Sequence, residues 1–243
     1  MAVWWKSYIG EWSGKKMHGA PIAVIDFETT GLDTQECSAV SVAVVHMNLG
    51  MNNAELVYDQ LINPHVPIPK VTTKIHGITN EKVADMPSFE DQLPVLLGHL
   101  DGRLLAAYNL PYDWAMLNTE LSRCGEQRFP LYGICGKVLA MYVDNQKQGR
   151  GYHRLVNVAG RRGLAYDAHN AAADAMVTAQ VIDMMLPSAA LQWRKQTRNL
   201  GMFGSVREYM SFQKQIALEK ERQLRLYYMS QGSARNDWPW TDY

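Results

Sequence analysis

Two carboxylates close an apolar strand in this chain, and two more face the interior of later helices. The strand is Ile22-Ala-Val-Ile-Asp26-Phe-Glu28-Thr-Thr-Gly31-Leu32. Alternation along a strand puts Asp26 and Glu28 on the face that also carries Ile22 and Val24. Such a pair loses hydration and repels itself, so one member neutralises unless a cation lies between them. The chemistry this pattern suits is divalent-metal binding.

The second segment is an apolar run at 104–108 followed by Asn109-Leu-Pro-Tyr112-Asp113. Asn109 stands at a helix-cap position and Pro111 early in the helix. Met116, Leu117 and Leu121 fall three, four and eight residues after Asp113, which turns that carboxylate inward. In the third segment Val177 and Val181 follow Asp174 at three and seven residues, so Asp174 also points inward, with His169 near the helix start. Each acid alone has an ordinary reading: a turn cap, a first-turn acid favoured by the helix dipole, or a satisfied core acid. Their order and spacing together predict one metal site built from Asp26, Glu28, Asp113 and Asp174, with His169 beside it.

Positioning these groups needs strands and helices in alternation. Strands are expected at about 22–27, 39–47 and 55–62, a pattern compatible with an antiparallel meander. Helical spacing of Leu93, Leu96, Leu97 and Leu100 predicts a helix over 88–100. A strand at 104–108 leads into the Asp113 helix, a short strand follows near 131–134, and short helical character runs over 153–161. The helix from 170 is expected to end before Pro187. The fold class is therefore α/β, a central mixed sheet flanked by helices.

Three regions follow: an aromatic N-terminal arm at 1–20 carrying Trp4, Trp5, Tyr8 and Trp12, a central domain at 21–186, and a helical extension with a tail at 187–243. A long helix is predicted over 205–231, rich in Lys, Arg, Glu and Gln. It either folds back on the domain or binds a partner.

The 243 residues carry 24 Lys and Arg against 24 Asp and Glu, which argues against a broad cationic surface and for local substrate contacts. Apolar residues make up 47%, enough for a sizeable core. Cys37, Cys124 and Cys135 show no paired spacing, as expected of a reducing compartment. No apolar run has the length of a membrane span and no signal-peptide core opens the chain, so a cytoplasmic location is expected.

The set Asp-Phe-Glu-Thr-Thr-Gly-Leu at 26–32, Asn-Leu-Pro-Tyr-Asp at 109–113 and His-x4-Asp at 169–174 resembles the three motifs of the DEDDh 3′–5′ exonucleases. The likeness is strongest to the proofreading epsilon subunits of bacterial DNA polymerase III. Ile62-Asn-Pro-His-Val-Pro-Ile-Pro and Ile75-His-Gly-Ile-Thr-Asn add to it, and it covers about 20–186. Three departures stand out: Tyr108 where the family often has His, Leu110 and Tyr112 around Pro111, and Cys135-Gly136 where Asp-Thr is common.

The resemblance implies a ribonuclease H-like fold and hydrolysis of 3′-terminal phosphodiesters to nucleoside 5′-monophosphates. It implies two Mg²⁺ or Mn²⁺ ions, about 3.5–4 Å apart. Asp26 would bridge both, Glu28 and Asp174 would complete the water-side ion, Asp113 would hold the other, and His169 would be the general base. Thr29, Leu32, Ile75, His76 and Tyr112 would grip the terminal nucleotide. For Leu32, Ile75 and Tyr112 plain core packing is the competing reading, and for His76 a turn role.

The expected partner is the single-stranded or frayed 3′ end of a nucleic acid, DNA before RNA. RNA trimming within the same superfamily is the alternative activity, and an inactive nuclease fold kept as an interaction module is a further one. Gln223-Leu-Arg-Leu-Tyr227 resembles the short peptides that dock on bacterial sliding clamps, so a clamp or a polymerase subunit is a candidate partner of the C-terminal extension. Intramolecular packing of that helix is the reading favoured over docking.

Overall fold

A computed structural model describes residues 8–145, 151–197 and 203–230, the side chains of 197 and 224–230 excepted. Helix α1 (Tyr8–Ser13) precedes strands β1 (Pro21–Thr29), β2 (Ala39–Asn48) and β3 (Glu55–Leu61). Three helices follow: α2 (Lys70–His76), α3 (Asn80–Val83) and α4 (Phe89–Leu100). Then come β4 (Leu104–Ala107), α5 (Leu110–Arg123), β5 (Gly133–Cys135), α6 (Gly136–Val143) and α7 (Leu155–Gly160). Two long helices end the described chain, α8 (Ala171–Thr197) and α9 (Val206–Ser230).

The sheet order is β3-β2-β1-β4-β5. The first three strands form the expected antiparallel meander, whereas β4 and β5 run parallel to β1. Parallel strands need covered faces, and the burial shows it: all four residues of β4 and the first seven of β2 are inaccessible. Helix α4 begins where Ser88 and Asp91 cap one another, Asp91 N–H donating to Ser88 Oγ at 3.1 Å and Ser88 N–H to Asp91 Oδ2 at 3.0 Å. Its Leu93, Leu96, Leu97 and Leu100 are buried, the face their spacing predicts.

The expected end of the third-motif helix before Pro187 is wrong. α8 runs through Pro187 to Thr197, so a boundary at 186 falls inside it. Proline in a helix interior costs about 3 kcal/mol through its missing N–H and its clash with the preceding turn. Ala189 and Ala190 beyond it are buried, and Leu186 and Trp193 pack on the core. Burying such side chains contributes about 1.5–3 kcal/mol each for the larger ones, enough to carry the helix across.

The first and last described helices, α1 and α9, both join the core. Tyr8 and Trp12 of the N-terminal arm are fully buried, and the Leu105 N–H donates to Tyr8 Oη at 2.6 Å. Trp4 and Trp5 lie outside the described residues. On α9, Val206, Tyr209, Phe212 and Gln213 are buried. The Gln213 amide acts as a substitute strand on the β5 edge: it accepts from the Cys135 N–H at 2.7 Å and donates to the Gly133 carbonyl at 2.8 Å. Gln213→Leu leaves both backbone groups buried without partners, at about 1–3 kcal/mol for each. A urea titration is expected to show a lower midpoint with an unchanged slope, and an unaltered midpoint would remove this anchoring role.

Candidate active site

Open α/β sheets place their sites beyond the carboxyl ends of parallel strands, and here those are β1 and β4. β4 pairs with β1 only from Ile22 to Val24, so the last residues of β1 are left free on that side and α5 starts beside them. Asp26 and Glu28 lie opposite Ala43 and Ser41 of β2, next to a register shift between Glu28 and Thr29. Both are half-buried, while Ile25 and Phe27 between and before them are buried.

Asp174 arrives from α8. Asn170 sets the helix start, its side chain accepting from the Ala173 N–H at 3.0 Å and its carbonyl from the Asp174 N–H at 2.8 Å. The carboxylate therefore sits in the first turn, where the helix dipole favours an anion. One oxygen each of Asp26, Glu28 and Asp174 lies within 4.8 Å of the others. Asp113 stands outside that trio. It is buried, and its Oδ1 accepts from the Phe27 N–H at 3.3 Å, which fastens α5 to β1 between the two strand acids.

Asn109 is at the N-cap of α5 but makes no side-chain capping bond. The reason is local: one usual donor position is Pro111, which has no N–H, and the Tyr112 N–H already donates to the Asn109 carbonyl at 2.8 Å.

The four carboxyls perturb one another. Burial pushes Asp26 well above the usual carboxylate range, and the charges of Asp113, Asp174 and Glu28 push it further. Burial and Asp174 raise Glu28 to about 7. Asp113 is pushed up to about 8 by burial, against hydrogen bonding from Phe27. Asp174 is raised by burial although the Tyr166 hydroxyl and the His169 N–H stabilise its anion. An all-oxygen donor set crowded with negative charge fits a hard divalent cation such as Mg²⁺ or Mn²⁺, and poorly fits zinc.

His169 is exposed and lies in a turn ahead of α8, with φ of 67°. Its backbone N–H donates to Asp174 Oδ2 at 2.7 Å. The main chain thus holds the carboxylate, and the imidazole lies close enough for its charge to favour the Asp174 anion.

Of the expected nucleotide contacts, Leu32 is 88% and Ile75 51% exposed, so core packing does not account for either. Thr29 is buried, and its hydroxyl lies 2.7 Å from that of half-buried Tyr112; both reach the Gly31 carbonyl, at 2.6 and 2.9 Å. His76 ends α2 ahead of Gly77, whose φ of 70° is the left-handed cap glycine allows. Its Nδ1 accepts from the Ile78 N–H at 3.1 Å, and burial lowers its pKa. His76 therefore does serve a turn, at the edge of the site.

The departures at 108 and 136 lie against one another. Tyr108 is buried with its hydroxyl donating to the His153 carbonyl at 2.6 Å. A Cβ at Gly136 would come within 3.1 Å of its ring, a tight contact that glycine at 136 avoids. Tyr166 was not foreseen from the residues: it lies in an irregular segment, and only folding brings its hydroxyl to Asp174.

A family model described as RNase T exonuclease matches residues 23–182. A DNA polymerase III subunit epsilon from Treponema pallidum is 31% identical over 69% of this chain and 77% of its own. A DNA polymerase III subunit epsilon-like protein from Rhodobacter capsulatus is 30% identical over 75% of this chain, which spans only 25% of that relative's length. Among solved structures, the nuclease domain of 3′hExo, a DEDDh family member bound to rAMP, superposes with a TM-score of 0.59 at 18% identity, over 71% of this chain and 94% of that one. With the acidic set gathered at the end of β1 and the matched span reaching from that strand into α8, the chain belongs to the RNase T exonuclease family.

Proposed function

We propose that this protein is a divalent-metal-dependent 3′–5′ exonuclease acting on DNA. It would remove nucleoside 5′-monophosphates from single-stranded or frayed 3′ ends, in replication proofreading or repair. The observation that carries this reading is the meeting of Asp26, Glu28 and Asp174 within 4.8 Å at the end of β1, with Asp113 buried next to them. The epsilon-subunit relative, matched over most of its length, favours DNA over RNA.

Asp26, Glu28 and Asp174 would hold one Mg²⁺ or Mn²⁺ ion, and Asp113 with Asp26 a second. Such a pair of ions clamps the scissile phosphate and stabilises the attacking and leaving oxygens. The chain's own groups would do the rest. The exposed His169, beside Asp174, would take the proton of the attacking water. Leu32 and Ile75 would press on the terminal base and sugar, a contact indifferent to sequence. The Thr29–Tyr112 hydroxyl pair would fix the sugar side of the pocket, and His76 its far edge.

For the C-terminal extension, packing of α9 on the domain is the favoured reading, its Val206, Tyr209, Phe212 and Gln213 being buried, and a polymerase subunit or a sliding clamp is the alternative partner. Gln223 is exposed there and hydrogen-bonds Glu219 at 2.8 Å. Leu224 to Tyr227 are helical with side chains outside the described residues. Among the described residues no helix is long and apolar enough to cross a membrane.

Degradation of 5′-labelled DNA and RNA oligonucleotides with Mg²⁺, Mn²⁺ or EDTA tests the reading. Stepwise shortening from the 3′ end, loss of activity in EDTA and faster decay of DNA are expected. Internal cuts or EDTA resistance would refute it, and faster decay of RNA would establish the trimming alternative.

A further inference from the structure

A groove of about 990 Å³ opens along α5, bounded at one end by Leu32 and Tyr112 of the proposed nucleotide pocket. Its volume lies at the upper end of the range of small-ligand sites, roughly 300–1,000 Å³, so it has room for more than one nucleotide. Its charge sets it apart. The chain as a whole has equal numbers of acids and bases, yet this wall carries Arg123, Arg128 and Lys137 and no aspartate or glutamate.

The cations are not equivalent. Arg123 is ion-paired with Glu120 at 3.0 Å and donates to Ser38 Oγ at 3.1 Å, so it is occupied. Arg128 is exposed, and its guanidinium lies 5.1 Å from the centre of the Trp114 ring. The backbone beside it is fixed to α5. The Phe129 N–H donates to Asn118 Oδ1 at 2.6 Å, and the Phe129 carbonyl accepts from Trp114 Nε1 at 2.7 Å and from Asn118 Nδ2 at 3.2 Å. A cation held over an indole by a pinned segment has lost much of its side-chain freedom already. Meeting a phosphate there costs less ordering than it would for a free surface arginine. Lys137, in the first turn of α6, lines the same groove.

We propose that this groove binds the phosphodiester backbone of single-stranded nucleic acid on the 5′ side of the terminal nucleotide, with Arg128 on a phosphate. The proposal rests on the exonuclease reading and extends it, since the groove shares Leu32 and Tyr112 with the pocket for the 3′ end. It gives a chain of zero net charge a confined anionic-polymer site in place of a broad basic surface.

The test separates binding from turnover. A 5′-fluorescein single strand of about ten residues is titrated in EDTA, with fluorescence anisotropy as readout over a range of salt. Each phosphate contact on a single strand contributes about 0.7 to the slope of log K against log salt. Arg128→Ala is expected to reduce that slope by roughly 0.7 and to weaken binding about tenfold. Arg128→Glu, at the same exposed position, repeats the test with the charge reversed.

With metal added, the ratio of kcat/KM on the oligonucleotide to that on the p-nitrophenyl ester of thymidine 5′-monophosphate should fall by a similar factor. The ester is too short to reach Arg128. An unchanged slope in both variants, or a proportional loss on both substrates, would overturn the groove. If the wild type binds with the expected slope yet cleaves neither substrate, the exonuclease reading fails while the groove stands.

Discussion

Asp26→Ala and Asp113→Ala are each expected to abolish nucleotide release in Mg²⁺ while the fold persists. The metal clamp on a transferring phosphate is worth several kcal/mol of transition-state stabilisation, so losing a ligand costs on the order of 10³-fold or more in kcat. Asp26 is the more sensitive position because it is flanked by all three other acids. Substantial cleavage by either variant would sink the assignment of these carboxylates as ligands.

The same variants are expected to be more stable than the wild type without metal, in a pH-dependent way. Asp113 has its folded pKa raised from 3.8 to about 8, and Glu28 from 4.5 to about 7. A carboxyl with a raised folded pKa binds its proton more tightly in the native state. Native stability is thus greatest below about pH 4, the unfolded value, and declines as pH rises towards 7–8, where the native groups finally ionise too. Asp113→Asn removes one such group, so its gain in melting temperature over the wild type should be near zero at pH 4 and largest near pH 8. Added Mg²⁺ should raise the wild-type melting temperature most at the high-pH end, and that of Asp26→Ala little. Thermal melts at both pH values, with and without Mg²⁺, measure all of this. A gain for Asp113→Asn that is the same at pH 4 and pH 8 would contradict the raised pKa of this buried carboxyl.

What the residues foretold and what they did not divides along physical lines. Period-two and period-3.6 patterns report burial on a local face, so the three-strand meander, the leucine face of α4 and the inward turn of Asp113 were all legible. Pro187 was read by its local cost, and the helix that crosses it is held by tertiary burial which a local rule does not see.

The docking of α9 depends on one glutamine meeting the β5 edge across 78 and 80 residues of sequence, and a single Gln in a polar helix carries no signal of that. The convergence of the acids was expected to include Asp113. The structure brings three together and ties the fourth to the Phe27 amide, a distinction finer than spacing can make. The contact of Tyr108 with Gly136 was visible only as two separate departures from a family pattern, because it is made between the turn after β4 and the start of α6.

His169 carries the second large effect, and its backbone decides how to measure it. The residue sits at φ 67°, a left-handed conformation that costs most side chains roughly 1–2 kcal/mol and that Asn tolerates best. Its N–H, not its ring, bonds Asp174. His169→Asn should therefore keep the turn and the Asp174 carboxylate in place and remove the imidazole alone. His169→Ala removes the same ring with added backbone strain. If the ring is the general base, both variants lose about 10²–10⁴-fold in kcat. The acidic limb of the rate profile should change in both, and the Mg²⁺ concentration giving half-maximal activity should shift little, because His169 is not a ligand. Added imidazole should recover part of the rate in the Ala variant, where the space is largest. A structural role alone predicts otherwise: the Ala variant would be impaired and less stable, while the Asn variant would keep nearly the wild-type rate and pH profile. That second pattern would return His169 to the turn that positions Asp174.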